Sequence, residues 1–194
     1  MEIKTIAIVG ASSLGRRIAY AAMLAGYRTV LEDVSLSALE QGIASIVQSL
    51  GADCARGKVP AAVAEAALAN LSAAISAEGA SREADLIIEA VADEMEMKIE
   101  LFTIFDKFAK PGAIFASTTT SLSITEMAAV TFCPKRCVGM SFFADHQKAS
   151  RLELVRGRET SEETIAACRE FGRRIGMDIF TLSDEHAASA NAAG

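Results

Sequence analysis

Residues 6–19 read IAIVGASSLGRRIA, and this stretch decides the fold. Ile3 to Val9 has the β-branched, apolar character of a buried strand and stops at Gly10. Leu14 to Ala25 has helical spacing and closes at Gly26. Between strand and helix stands Gly10-x-Ser12-x-x-Gly15. A glycine-rich loop in that place holds a pyrophosphate against the amino end of the helix, where free N–H groups and the dipole favour an anion. Gly10 permits the tight turn, and Gly15 lets helix and strand approach closely. Ser12 replaces the usual middle glycine, so it crowds the backbone approach while offering a hydroxyl to a phosphate oxygen. Gly10, Ser12, Leu14 and Gly15 are the candidate cofactor-binding residues of this loop. A plain strand-to-helix turn is the other reading.

Further along, strands and helices keep alternating. Strands are expected at Thr29 to Leu31, Ala73 to Ile75, Asp85 to Val91, Ala113 to Ala116, Cys137 to Phe143, Leu152 to Val155 and Asp178 to Leu182. Helices are expected at Leu36 to Leu50, from Pro60 through Leu68, at Glu94 to Phe108, at Ile124 to Val130 and at Glu162 to Ile175. Gly51 to Val59 reads as a polar turn region, and Ala187 to Gly194 as a frayed tail. Near-continuous apolar strands between helices predict an α/β fold of Rossmann type, doubly wound, with a mostly parallel sheet covered on both faces. The 194 residues suffice for one such domain, without repeats or a low-complexity linker.

The second strand ends in Glu32-Asp33, and Asp33 lies 23 residues after Gly10. A carboxylate there accepts hydrogen bonds from the adenosine ribose and repels a 2′-phosphate, so the expected cofactor is NAD rather than NADP. Glu32 is the neighbouring candidate, and a helix N-cap is the other role open to Asp33.

Composition narrows the partners. A net charge of -6 argues against a general nucleic-acid or anionic-membrane binder. No apolar run approaches the roughly 20 residues of a membrane span. The start MEIKTIAIVG leads straight into a strand, with no signal-peptide pattern, and a cytoplasmic protein is expected. Cys54, Cys133, Cys137 and Cys168 lack zinc spacing, so no metal is expected.

Five segments carry a resemblance. They are AIVGASSLGRRIAYAAMLAGYRTVLED (7–33), DLIIEAVADEMEMKIELF (85–102), IFASTTTSLSIT (114–125), RCVGMSFF (136–143) and RLELVRG (151–157). Together they resemble the NAD-binding domain of the 3-hydroxyacyl-CoA dehydrogenase family over nearly the whole chain. The resemblance implies oxidation of the 3-hydroxyl of a hydroxyacyl-CoA, with hydride passed to NAD. It implies a histidine base oriented by a glutamate, with a serine and two asparagines around the substrate oxygen.

Carried over residue by residue, that machinery is damaged. The family's histidine opens an HFFNP motif, and this chain has Ser141-Phe142-Phe143-Ala144-Asp145. Ser141 stands at the base position and Ala144 at one asparagine. Thr120 keeps a hydroxyl at the serine position, Glu153 matches the orienting glutamate, and Asn191 matches the second asparagine. Glu89 and Lys98 match positions near the nicotinamide half of the cofactor. Glu89 needs a ligand or a turn amide to satisfy it, and Lys98 can equally be a helix-surface lysine. His146 and His186 are loop histidines that could substitute for the base. Arg56 and Lys58 lie where the family meets CoA phosphates, and also read as a solvated turn. The resemblance implies a helical C-terminal domain that begins where this chain stops: lost, supplied by another chain, or missing from a fragment, with loss the expected reading and apolar surface left for self-association. Two functions follow as expectations: an oxidoreductase of weak or lost activity on a 3-hydroxyacyl-CoA or similar hydroxy acid, or a non-catalytic NAD(H)-binding regulatory or interaction module.

Overall fold

The computed structural model describes residues 2–143 and 150–184. In chain order the elements are β1 (Thr5–Val9), α1 (Ser13–Leu24), β2 (Arg28–Glu32), α2 (Leu36–Ala55), α3 (Ala61–Ala69), β3 (Leu71–Ala74), α4 (Ala77–Ser81) and β4 (Leu86–Glu89). There follow α5 (Met95–Phe108), β5 (Ile114–Ser117), α6 (Ile124–Ala128), β6 (Cys137–Phe143), β7 (Arg151–Arg156), α7 (Glu162–Arg174) and β8 (Asp178–Ser183). The strands form one sheet in the order β3-β2-β1-β4-β5-β6-β7-β8. All neighbours are parallel except β6 and β7. The doubly wound, mostly parallel architecture is therefore present.

Two apolar layers cover the sheet. Ile6, Ile8 and Leu31 face one way with Ile18, Met23, Leu39 and Phe171, beneath α1, α2 and α7. Ala7, Val9, Ile87 and Phe115 face the other way with Phe102, Phe105 and Met127, beneath α5 and α6. The rings of Phe102, Phe105 and Phe115 lie 5.7–6.2 Å apart, which locks α5 on β5. No helix among the described residues is long and apolar enough to cross a membrane.

Among the differences from the sequence reading, three have a clear structural cause. α2 runs on through Gly51 to Ala55, because buried Leu50 and the Tyr20 hydroxyl, 2.6 Å from Asp53, tie that turn to α1. The third strand is Leu71–Ala74, set by parallel pairing with β2. α4 was not expected; Ser76 caps it by accepting from Gly79 N.

The strand order turns around between β1 and β4. Chain leaving β1 and β2 goes one way, and chain leaving β4 and β5 the other. Their diverging loops open a crevice at the carboxyl ends of the strands, the place where this topology takes a ligand.

Candidate active site

The Gly10 loop is built by steric need. Gly10 has φ of +109°, and a Cβ there would lie 2.8 Å from the Ala90 carbonyl oxygen. A Cβ on Gly15 would lie 2.0 Å from the Gly10 carbonyl oxygen, so only glycine lets α1 approach β1 this closely. Ser12 caps α1: its hydroxyl accepts from Gly15 N at 3.1 Å and donates to Ala90 O at 2.9 Å. The expected donation to a phosphate is thus corrected, because the proton is spent on the β4 loop. Ser13 N and Leu14 N make no hydrogen bond among the described residues, and they remain to meet an anion.

Asp33 closes β2 beside this loop. Its Oδ2 accepts from Ala11 N at 3.0 Å and its Oδ1 from Ser35 N at 2.9 Å. It is not the cap of α2, since Ser35 holds that place and accepts from Ala38 N. The carboxylate therefore pins the loop and keeps further lone pairs for a ligand hydroxyl. Next to it lies a cavity of about 360 Å³ lined by Gly10, Glu32, Asp33, Val34, Val91 and Met97, among others. Its walls are chiefly apolar, as an adenine ring requires. Glu32 is buried there, and burial, then Asp33 and Glu78, push its carboxyl up to about 7. Gly10 N–H offsets part of that rise.

At the carboxyl ends of β4 and β5 a second cluster forms. Glu89 and Ser117 are register partners. Lys98 Nζ lies 2.7 Å from both Glu89 oxygens, Ser117 Oγ donates to Oε2 at 2.6 Å, and Val91 N donates to Oε1 at 2.7 Å. Lys98 is 1% exposed, so the helix-surface reading is corrected. Its ammonium also lies 3.5 Å from Asp93. Burial works to raise the Asp93 carboxyl, but hydrogen bonds from Thr119 and Ser121 and the charge of Lys98 hold it below its usual range. Glu89 is thus satisfied from within, by an ion pair and a hydroxyl as well as the expected turn amide. Ser117 and Asp93 escaped the sequence reading, although aligning β4 with β5 would have placed Ser117 opposite Glu89.

The third group sits on β6 and β7. Ser141 and Glu153 are antiparallel register partners. Ser141 is 1% exposed, and its hydroxyl donates to Thr119 O at 2.8 Å. Glu153 pairs with Arg151 at 3.1 Å. Thr120 is exposed, one residue beyond the carbonyl that Ser141 holds. Ala144, His146, His186 and Asn191 lie outside the described residues. Among the described residues no three His, Cys, Asp or Glu side chains gather as metal ligands would.

A second cavity, about 600 Å³, lies beyond this group and is lined by Ser121, Ser123, Arg156, Arg158 and Asp184, among others. Asp184 was not singled out in the sequence. It accepts from Ser123 Oγ at 2.9 Å, Thr125 N at 3.0 Å and Ile124 N at 3.2 Å, tying β8 to the start of α6.

With loop, carboxylate and crevice in place, the comparison with known proteins is decisive. Residues 5–185 match the model of the 3-hydroxyacyl-CoA dehydrogenase NAD-binding domain. The chain belongs to the 3-hydroxyacyl-CoA dehydrogenase family. The domain it matches takes NAD, and the two glycines, the open N–H groups and Asp33 fit that cofactor. A probable 3-hydroxybutyryl-CoA dehydrogenase of Bacillus subtilis is 35% identical over 184 residues, 95% of this chain and 64% of that protein. The 3-hydroxybutyryl-CoA dehydrogenase of Bradyrhizobium diazoefficiens is 34% identical over 94% of this chain and 62% of its own length. The crystal structure of (S)-3-hydroxybutyryl-CoA dehydrogenase from Ralstonia eutropha superposes with a TM-score of 0.88, at 32% identity, over 94% of this chain and 64% of that one. This 3-hydroxyacyl-CoA dehydrogenase family member thus spans less than two thirds of the relatives it matches.

Proposed function

We propose that this chain binds NAD(H) across the ends of β1, β2 and β4, and that its turnover of a 3-hydroxyacyl-CoA is weak or lost. Bound NAD supplies the hydride acceptor for the carbon that carries the substrate hydroxyl. The chain's own residues divide the remaining work. Gly10 and Gly15 admit the pyrophosphate to the helix end, Ser13 N and Leu14 N donate to it, and Asp33 accepts from the ribose. Lys98, Glu89 and Ser117 form a rigid, internally satisfied floor at the ends of β4 and β5. Thr120 offers a hydroxyl to the substrate oxygen.

One observation carries the reading of weak activity. The position opposite Glu153 is Ser141, whose proton is given to Thr119 O. A serine hydroxyl has no basicity to take the substrate proton near neutral pH. Loss of a general base costs about 10²–10⁴ in rate. A second reading, a non-catalytic NAD(H)-binding regulatory or interaction module, keeps the cofactor site without the chemistry, and the same buried Ser141 hydroxyl favours it.

NADH fluorescence titration with an acetoacetyl-CoA reduction assay tests both halves. Saturable NADH binding with a slow or undetectable reduction is expected. The Ser141→His, Ala144→Asn double variant is expected to raise the rate. Efficient turnover by the unaltered chain would sink the reading of lost activity, and absence of NADH binding would sink the whole proposal.

A further inference from the structure

The cavity beside Gly10 contains a carboxyl that the assigned roles leave unused. Glu32 is 2% exposed, lines that cavity, and has an Oε1 without a hydrogen-bond partner among the described residues. Buried carboxylates ordinarily find a cation or several donors. Here the elements packed around it bring no cation, and the donors beside it, the Gly10 N–H and the Ser76 hydroxyl of the cavity wall, leave Oε1 unpaired. β1 and its loop contribute Val9 and Gly10; β2 and the residues after it contribute Asp33 and Val34; α4 contributes Glu78; α5 contributes Glu100 between Met97 and Leu101. Every titratable side chain in that wall is a carboxyl. The basic group nearest in sequence on α5, Lys98, is committed to Glu89 and Asp93.

Resting on the reading that NAD(H) occupies this crevice, we propose that dinucleotide binding is proton-linked through Glu32: the ligand is held with Glu32 neutral, and binding to the ionised protein takes up one proton. A bound pyrophosphate adds negative charge at the Gly10 loop, and an adenosine in the cavity displaces water from the Glu32 side. Both effects disfavour the carboxylate. The neutral carboxyl also gains an O–H donor, which the ring nitrogens of an adenine can accept. Glu32 is poised for the change, because burial and then Asp33 and Glu78 already bring its midpoint to about 7. The direction follows from linkage. A ligand that prefers the neutral form raises the Glu32 midpoint further. Affinity is then level below the free-protein midpoint and falls as pH rises through and beyond it, by up to about tenfold per pH unit.

Calorimetric titration of NADH between about pH 6 and about pH 8.5 tests this, in two buffers of unlike ionisation heat. The unaltered chain is expected to bind more weakly at the alkaline end and to take up close to one proton there. Glu32→Gln, a neutral side chain of the same shape, is expected to bind with no such slope and no proton uptake. A flat profile in the unaltered chain, or the same slope and uptake in Glu32→Gln, overturns the proton linkage and leaves NAD(H) binding standing. No NADH binding at any pH overturns both. The proton count of the unaltered chain decides the matter if the glutamine variant does not fold.

Discussion

At the residue scale, the glycine positions separate by what surrounds them. Gly15→Ala places a methyl against the Gly10 carbonyl, and α1 must move off β1 to admit it. We expect a loss of about 3 kcal/mol, read by chemical denaturation, with NADH binding abolished. Gly51 lies inside α2 with open space around it. Gly51→Ala is therefore expected to stabilise by about 0.5–1 kcal/mol and to leave binding intact. The Glu89–Lys98 pair gives a third expectation. Lys98→Met strands a carboxylate that is 0% exposed, at a cost of about 3–5 kcal/mol. Adding Glu89→Gln is expected to recover part of that loss, because no buried charge is then left unpaired. No recovery in the double variant relative to Lys98→Met alone would mean that the hydrogen bonds to Ser117 and Val91, rather than the charge, carry the stability.

At the element scale, α6 depends on a residue 60 positions away. Asp184 accepts from Ser123, Ile124 and Thr125 at its amino end. Burial acts to raise the Asp184 carboxyl, but hydrogen bonds from Thr125, Ser123 and Ile124 hold it below the usual carboxylate range. A depressed folded-state value means that the stabilisation is present above the unfolded value and is lost as pH falls through the folded one. Asp184→Ala is expected to cost about 1 kcal/mol near neutral pH, and the two proteins' melting temperatures are expected to converge below about pH 4. Local elements of this kind were readable from sequence where one pattern dominates. β4 and β6 are continuous apolar runs, and α5 carries its Phe102 and Phe105 at helical spacing. The end of α2 was not readable, because a tyrosine on another helix extends it. Nor was the Glu89 cluster, since Ser117 is 28 residues from its partner and only the strand register brings them together. Ser141 and Glu153 were legible as a pair through the family motif; that the Ser141 proton goes to Thr119 was not.

At the scale of the whole molecule, both apolar layers rest on the same eight strands. Stripping either layer exposes the back of the other, so we expect one cooperative unfolding transition. Far-UV circular dichroism, which reports all helices, should coincide with tyrosine fluorescence, which reports the α1 and α7 side through Tyr20 and Tyr27. Separate midpoints would mean that the two layers melt independently.

The collisions that fix Gly10 and Gly15 have a consequence for how this lineage can drift. Both are with the chain's own backbone. A descendant that had abandoned its nucleotide would still be forbidden to replace either glycine, because at Gly15 the sheet would no longer close on its first helix and at Gly10 the turn would strike Ala90. The fingerprint outlives its use. The record of a vanished ligand would be written instead in side chains free to vary, at Val34 and Val91 on the lip of the crevice.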